Sequence, residues 1–94
     1  MNVEYSKRAL ADLHHIAQYY ATTADPALAD AVVAAIRQVV ARVMRHPESG
    51  RAILQRPGVR VALLPRYRYK IFYQSSGDTI RIVHIRHTSR RPWP

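Results

Sequence analysis

The sequence predicts an α+β domain: an N-terminal antiparallel helical hairpin packed on a small antiparallel β-sheet. Three observations carry this. From residue 7 to residue 45 the apolar residues recur at spacings of three and four, the period of a helix face. From residue 59 to residue 87 apolar and polar residues largely alternate, the period of a strand. Between them, His46-Pro47-Glu48-Ser49-Gly50 breaks the pattern with proline and glycine. At 94 residues the chain is one domain with a modest core.

The elements follow in order. A short extended segment covers Asn2–Tyr5. Ser6 is the N-cap of the first helix, although Ala9 stands where Glu or Gln would complete a capping box. Leu10, Leu13, Ala17 and Tyr20 form its expected buried stripe, with His14, His15 and Gln18 beside or opposite. This helix fades near Thr22–Ala24. Asp25 caps the second helix, and Pro26 takes the first helical position, where no N–H is needed. Leu28, Ala29, Val32, Ile36, Val39, Val40 and Val43 make a broad apolar stripe, with Arg37, Arg42 and Arg45 mainly off it. Valine lowers intrinsic helix propensity, so packing must hold this helix. The residue before proline resists helical backbone angles, which ends the helix at His46-Pro47. The short connection between the helices makes them antiparallel.

Val59, Val61 and Leu63 then alternate with Arg60, Ala62 and Leu64. After a turn at Pro65-Arg66, Tyr67, Tyr69, Ile71 and Tyr73 alternate with Arg68, Lys70 and Phe72. Ser75–Asp78 is a hairpin turn of small residues, and Thr79–His87 is the last strand. Three consecutive strands with short turns give an antiparallel meander. The helices cover one face, leaving the other wet and basic. If odd-numbered residues of the middle strands face the helices, Arg60, Arg68 and Lys70 share the open face. In the last strand Ile80 and Ile82 point one way and Val83 and Ile85 the other, so parity assigns neither His84 nor His87 to a face.

Charge narrows the function. Residues 1–50 hold five Lys/Arg and five Asp/Glu, whereas residues 51–94 hold ten Lys/Arg against Asp78 alone, so the whole net charge of +9 lies in the second half. Such one-sidedness points to a polyanionic partner, either nucleic acid or an acidic protein segment. There is no cysteine, hence no disulfide and no thiolate metal site. No His pair at helical i,i+4 spacing and no glycine-rich loop is present, so no metal and no cofactor are expected. The longest aliphatic run, Ala31–Ile36, is far shorter than the ~20 residues of a membrane span, and MNVEYSKRAL is unlike a signal peptide. A cytoplasmic protein with no membrane partner is expected.

Three blocks together carry a family resemblance. They are the paired helices with Leu13, Ile16 and Tyr20; the HPESGR turn at residues 46–51; and GVRVALLPRYRYKIFYQ followed by IRIVHIRHTSRRPW. In order and spacing, from Tyr5 to about Trp93, the chain resembles the ParE branch of the ParE/RelE toxin superfamily of bacterial type II toxin–antitoxin systems. The resemblance implies a small basic toxin neutralised by a ParD-like antitoxin encoded beside it. That antitoxin wraps an acidic, amphipathic C-terminal segment around the toxin, and its other half binds operator DNA. The resemblance also implies DNA gyrase as the target. The RelE branch, in contrast, consists of ribosome-dependent mRNA endoribonucleases.

RNA cleavage through the 2′-hydroxyl needs a proton acceptor, a proton donor and positive charge at the phosphate. His87 can supply acid or base, and Arg60, Lys70 and Arg90 can hold phosphate. The nucleases resemble this chain around YKIFYQ but carry Arg where Lys70 stands, and they often end on a catalytic Tyr. Here no Tyr follows Tyr73, so the nuclease set is incomplete. Binding without turnover is the leading expectation, with Arg60, Lys70, Arg86, His87, Arg90, Arg91 and Trp93 contacting the target. His84 reads as a packed or surface histidine. Tyr67, Tyr69 and Tyr73 read as core rather than as base-stacking rings.

Overall fold

The computed structural model describes residues 1–89. Arg90, Arg91 and Trp93 therefore lie outside the described residues. The elements are β1 (Asn2–Tyr5), α1 (Lys7–Thr23), α2 (Pro26–Arg45), β2 (Arg51–Ala52), β3 (Val59–Leu64), β4 (Tyr69–Ser76) and β5 (Thr79–His87). They form a helical hairpin on one sheet of strand order β1-β5-β4-β3-β2. The antiparallel meander β3–β4–β5 is present, but the sheet is mixed, because β1 pairs with β5 in parallel. Among the described residues no helix is long and apolar enough to cross a membrane.

Both helix starts are built from their caps. Ser6 Oγ accepts the Ala9 N–H at 3.0 Å and donates to the Val83 carbonyl at 2.9 Å. The Ser6 N–H also donates to the Ile82 carbonyl, at 2.9 Å. One residue thus caps α1 and ties its start to β5. Asp25 Oδ1 accepts the Leu28 N–H at 2.8 Å, with Pro26 in the first turn.

That tie fixes the rotation of α1 about its axis. Ala9 and Ile16 are buried, and Leu13 and Tyr20 pack against them, so the core stripe runs 9, 13, 16, 20. Leu10, expected in the stripe, is 54% exposed. With Ser6 held against β5, the small Ala9 takes the position of closest approach and Leu10 is turned outward. On α2 the expected stripe is buried at Ala29, Val32, Ile36, Val39, Val40 and Val43, and Leu28 packs against it partly buried.

The sheet faces differ from expectation in two places, each with a geometric cause. The four-residue connection Pro65–Arg68 sets Leu64 opposite Tyr69, so an even position on β3 shares a face with an odd one on β4. Ala62 and Leu64 join Tyr69, Ile71 and Tyr73 in the core under the helices. Arg60, paired with Tyr73, is on that same side, whereas Lys70, paired with Leu63, is on the other. Arg60 and Lys70 therefore do not share the open face. Neither does Arg68, which sits in the turn with φ 61°.

On β5 the register shifts between Phe72 and Tyr73. Phe72 faces His84 while Tyr73 faces Ile82, leaving Val83 as an inserted residue. This bulge brings Ile80, Ile82 and Ile85 to the same buried side, which simple alternation forbids. The opposite face is not wholly wet. Val59, Val61 and Phe72 form a second small core there, with Ile53 and Val83 packed against it.

Candidate functional site

The distal half of β5 gathers the most unusual chemistry. β1 ends at Tyr5, opposite Ile82, so it leaves the next part of the β5 edge without a strand neighbour. Side chains from the start of α1 take over that role. Ser6 bonds the Val83 carbonyl, and Asp12 Oδ2 accepts the Ile85 N–H at 2.9 Å.

The same Asp12 oxygen lies 2.7 Å from His84 Nδ1. A carboxylate only accepts, so Nδ1 carries the hydrogen. His84 is only 5% exposed, and its ring stacks on Phe72 with centroids 6.0 Å apart. Burial pushes its pKa below the ordinary 6.5; the bond and charge of Asp12 oppose this, and Arg8 and Arg86 add to it. His84 is therefore a packed histidine with a fixed tautomer.

On the far side of the sheet from the helices, Leu63, Lys70 and Arg86 form one row across three strands, Lys70 directly opposite both neighbours. Like charges directly opposed on a sheet are unfavourable. Neither Lys70 nor Arg86 has an acidic partner within 4.0 Å among the described residues. The row is a half-buried pair of cations beside an exposed leucine, with 47% of Leu63 accessible.

Along the β5 edge a groove of about 460 Å³ runs between α1 and the end of β5. Arg8, His15 and Tyr19 border it from the helix, and Tyr69, Arg86 and His87 from the sheet. His87 meets Tyr69 edge-on at 5.3 Å between centroids. Its Nδ1 lies 2.6 Å from Ser89 Oγ and accepts the Ser89 N–H at 3.2 Å. With Nδ1 accepting, the ring hydrogen of the neutral tautomer is on Nε2, where it can donate a bond.

These placements separate the expected site residues. Lys70 and Arg86 come together. His87 is paired with Tyr69, on the side opposite Lys70. Arg60 is on β3, two strands away from β5 and next to the edge strand β2, where its Nη1 donates to the Gly50 carbonyl at 2.8 Å. So His87, Arg60 and Lys70 do not converge on one phosphate-sized site, and Arg90 falls outside the described residues. Sequence reasoning missed Arg8, Asp12, His15 and Tyr19. Their spacing was a signal: they form a second helical stripe, one residue behind the core stripe at Ala9, Leu13, Ile16 and Tyr20. Among the described residues no group of three His, Asp or Glu side chains could hold a metal ion.

Comparison with known proteins agrees with this architecture. No curated relative matches the sequence significantly. A solved structure from the chromosomal ParDE toxin–antitoxin system of P. aeruginosa superposes with a TM-score of 0.82 at 26% identity, covering 95% of this chain and 97% of that one. The isolated RelE toxin of E. coli superposes at 0.64 with 13% identity, covering 96% and 86%, a likeness of fold alone. The family model of the ParE toxin of type II toxin–antitoxin systems matches residues 3–92, and the chain belongs to that family.

Proposed function

We propose that this protein is a toxin that inhibits DNA gyrase by binding it, without turnover. In this reading it acts in the cytoplasm and is held inactive by a cognate ParD-like antitoxin with an acidic C-terminal segment. Operator DNA is reached only through that antitoxin. The target-contacting set is Lys70, Arg86 and His87, continued by Arg90, Arg91 and Trp93, with Arg60 contributing from β3.

The observation that carries this reading is the opposed pair Lys70 and Arg86 on rigid strands beside exposed Leu63. Two unneutralised cations flanked by an apolar side chain favour an acidic protein surface. The separation of His87 from Lys70 and Arg60 supports contact over catalysis, since acid–base chemistry needs its groups within reach of one phosphate.

One purified preparation decides between the two activities. It is added to a gyrase supercoiling reaction and, in parallel, to a reconstituted translation reaction with labelled mRNA. The expected result is inhibited supercoiling and intact mRNA. Ribosome-dependent cleavage that disappears in His87→Ala would contradict it.

A further inference from the structure

The groove between α1 and the end of β5 has a helix wall, with Arg8, His15 and Tyr19, that the gyrase reading does not use. Six rings line it: His15, Tyr19, Tyr20, Tyr69, His84 and His87. Arg8 lines the same cavity from the helix, and Arg86 borders it from β5, with its side chain on the Lys70 side of the sheet. Its one carboxylate, Asp12, is engaged inward by His84 Nδ1 and the Ile85 N–H. Tyr19 is 58% exposed, so its ring is open to a stacking partner. Its edge-to-face contact with Tyr20, 5.1 Å between centroids, holds the ring upright.

We infer that this groove binds one nucleotide unit of a single-stranded nucleic acid, with the base on the Tyr19 ring and the phosphate on Arg8. The volume, about 460 Å³, suits a group of nucleotide size. Base stacking on aromatic rings combined with cations along the backbone is the general means of holding single strands. An acidic peptide would need the cations but would gain little from this concentration of rings. His87 adds a donor, because its Nε2 hydrogen is not used by Ser89. No cleavage is implied: the buried His84 is tied to Asp12, and His87 Nδ1 is engaged by Ser89. This site does not depend on gyrase being the target.

The test uses the full chain and fluorescence anisotropy. The probes are a labelled oligothymidylate of about ten nucleotides, an abasic strand of the same length, and an oligoglutamate of equal charge. Base stacking is expected to make the oligothymidylate bind about five- to hundred-fold tighter than the abasic strand. Tyr19→Ala should erase that preference while Tyr19→Phe keeps it; the position is exposed enough to spare the fold, which circular dichroism checks. Arg8→Ala should weaken binding and reduce the salt slope by about 0.7, the loss of one phosphate contact on a single strand. Arg51→Ala, on the opposite sheet edge, should change affinity by less than about two-fold if binding is confined to this groove. Equal affinity for the abasic strand would overturn the proposal, leaving only a polyanion-attracting surface. Oligoglutamate binding as tightly as oligothymidylate would also overturn it and assign the groove to an acidic protein segment. The abasic comparison needs no variant, so it decides the matter even if a substitution disturbs folding.

Discussion

The Tyr73 hydroxyl occupies the space where a side chain on residue 50 would begin: a Cβ at Gly50 would lie 2.5 Å from it. That hydroxyl accepts the Gly50 N–H at 2.9 Å and donates to the Pro47 carbonyl at 2.7 Å. The residue-46-to-50 turn is thus clasped from the core by Tyr73 and from β3 by Arg60. Tyr73→Phe should cost about 1–3 kcal/mol, because it leaves a buried N–H without its acceptor. Gly50→Ala should cost at least as much, since the ring atoms of Tyr73 as well as its oxygen stand in the way. Urea unfolding of the two variants measures both.

Stability should fall as pH is lowered from neutrality, and His84 should contribute to that fall. Its pKa is depressed in the folded state by burial, so the unfolded chain binds a proton more readily. The stabilisation is fully present above the ordinary value of 6.5 and is lost as pH falls through the lower folded value. His84→Asn, which can still donate to Asp12, should flatten the urea midpoint between about pH 7.5 and 5.5. An unchanged slope in that variant would assign the effect elsewhere.

Lys70→Glu should raise stability while impairing toxicity. It replaces a repulsive cross-strand neighbour of Arg86 by an attractive one, a gain of about 0.2–1 kcal/mol. A contact surface built on cations loses function by the same change. Thermal melts and a growth assay on induced cells give the two readouts, and parallel losses in both would point to misfolding instead.

Truncation after Thr88 removes Arg90, Arg91 and Trp93. Growth arrest should be lost, while the antitoxin is still bound, because both helices and the whole of β5 remain. Co-purification with the antitoxin and the growth assay test this together. Full toxicity from the truncated chain would remove the tail from the contact set.

Much of this was legible from local chemistry. Ser6, Asp25 and Pro26 announce both helix starts because capping is decided by a few neighbouring residues. The α2 stripe is legible because its valines and Ile36 repeat without interruption. What failed depended on distant partners. Leu10 looks equivalent to Ala9 until Ser6 is seen bonded to Val83 and Ile82, which sets the rotation of α1. The face of Arg60 follows from the even-length connection before Tyr69, and the face of Ile85 from the bulge at Val83. Neither has a local signature in apolar alternation, which is why Arg60 and Lys70 were expected side by side. The groove was missed for a related reason. Arg8, Asp12, His15 and Tyr19 form a stripe on the sequence, but only docking against β5 turns one flank of a helix into a cavity wall.

The most direct test of the central claim is inhibition of gyrase supercoiling by purified wild-type protein and by Lys70→Glu, titrated side by side. A binding toxin that uses the Lys70–Arg86 face should inhibit as wild type and lose at least about ten-fold in potency as the variant, the effect of reversing one central charge at an interface. Equal inhibition by both proteins, or none by the wild type, would contradict it.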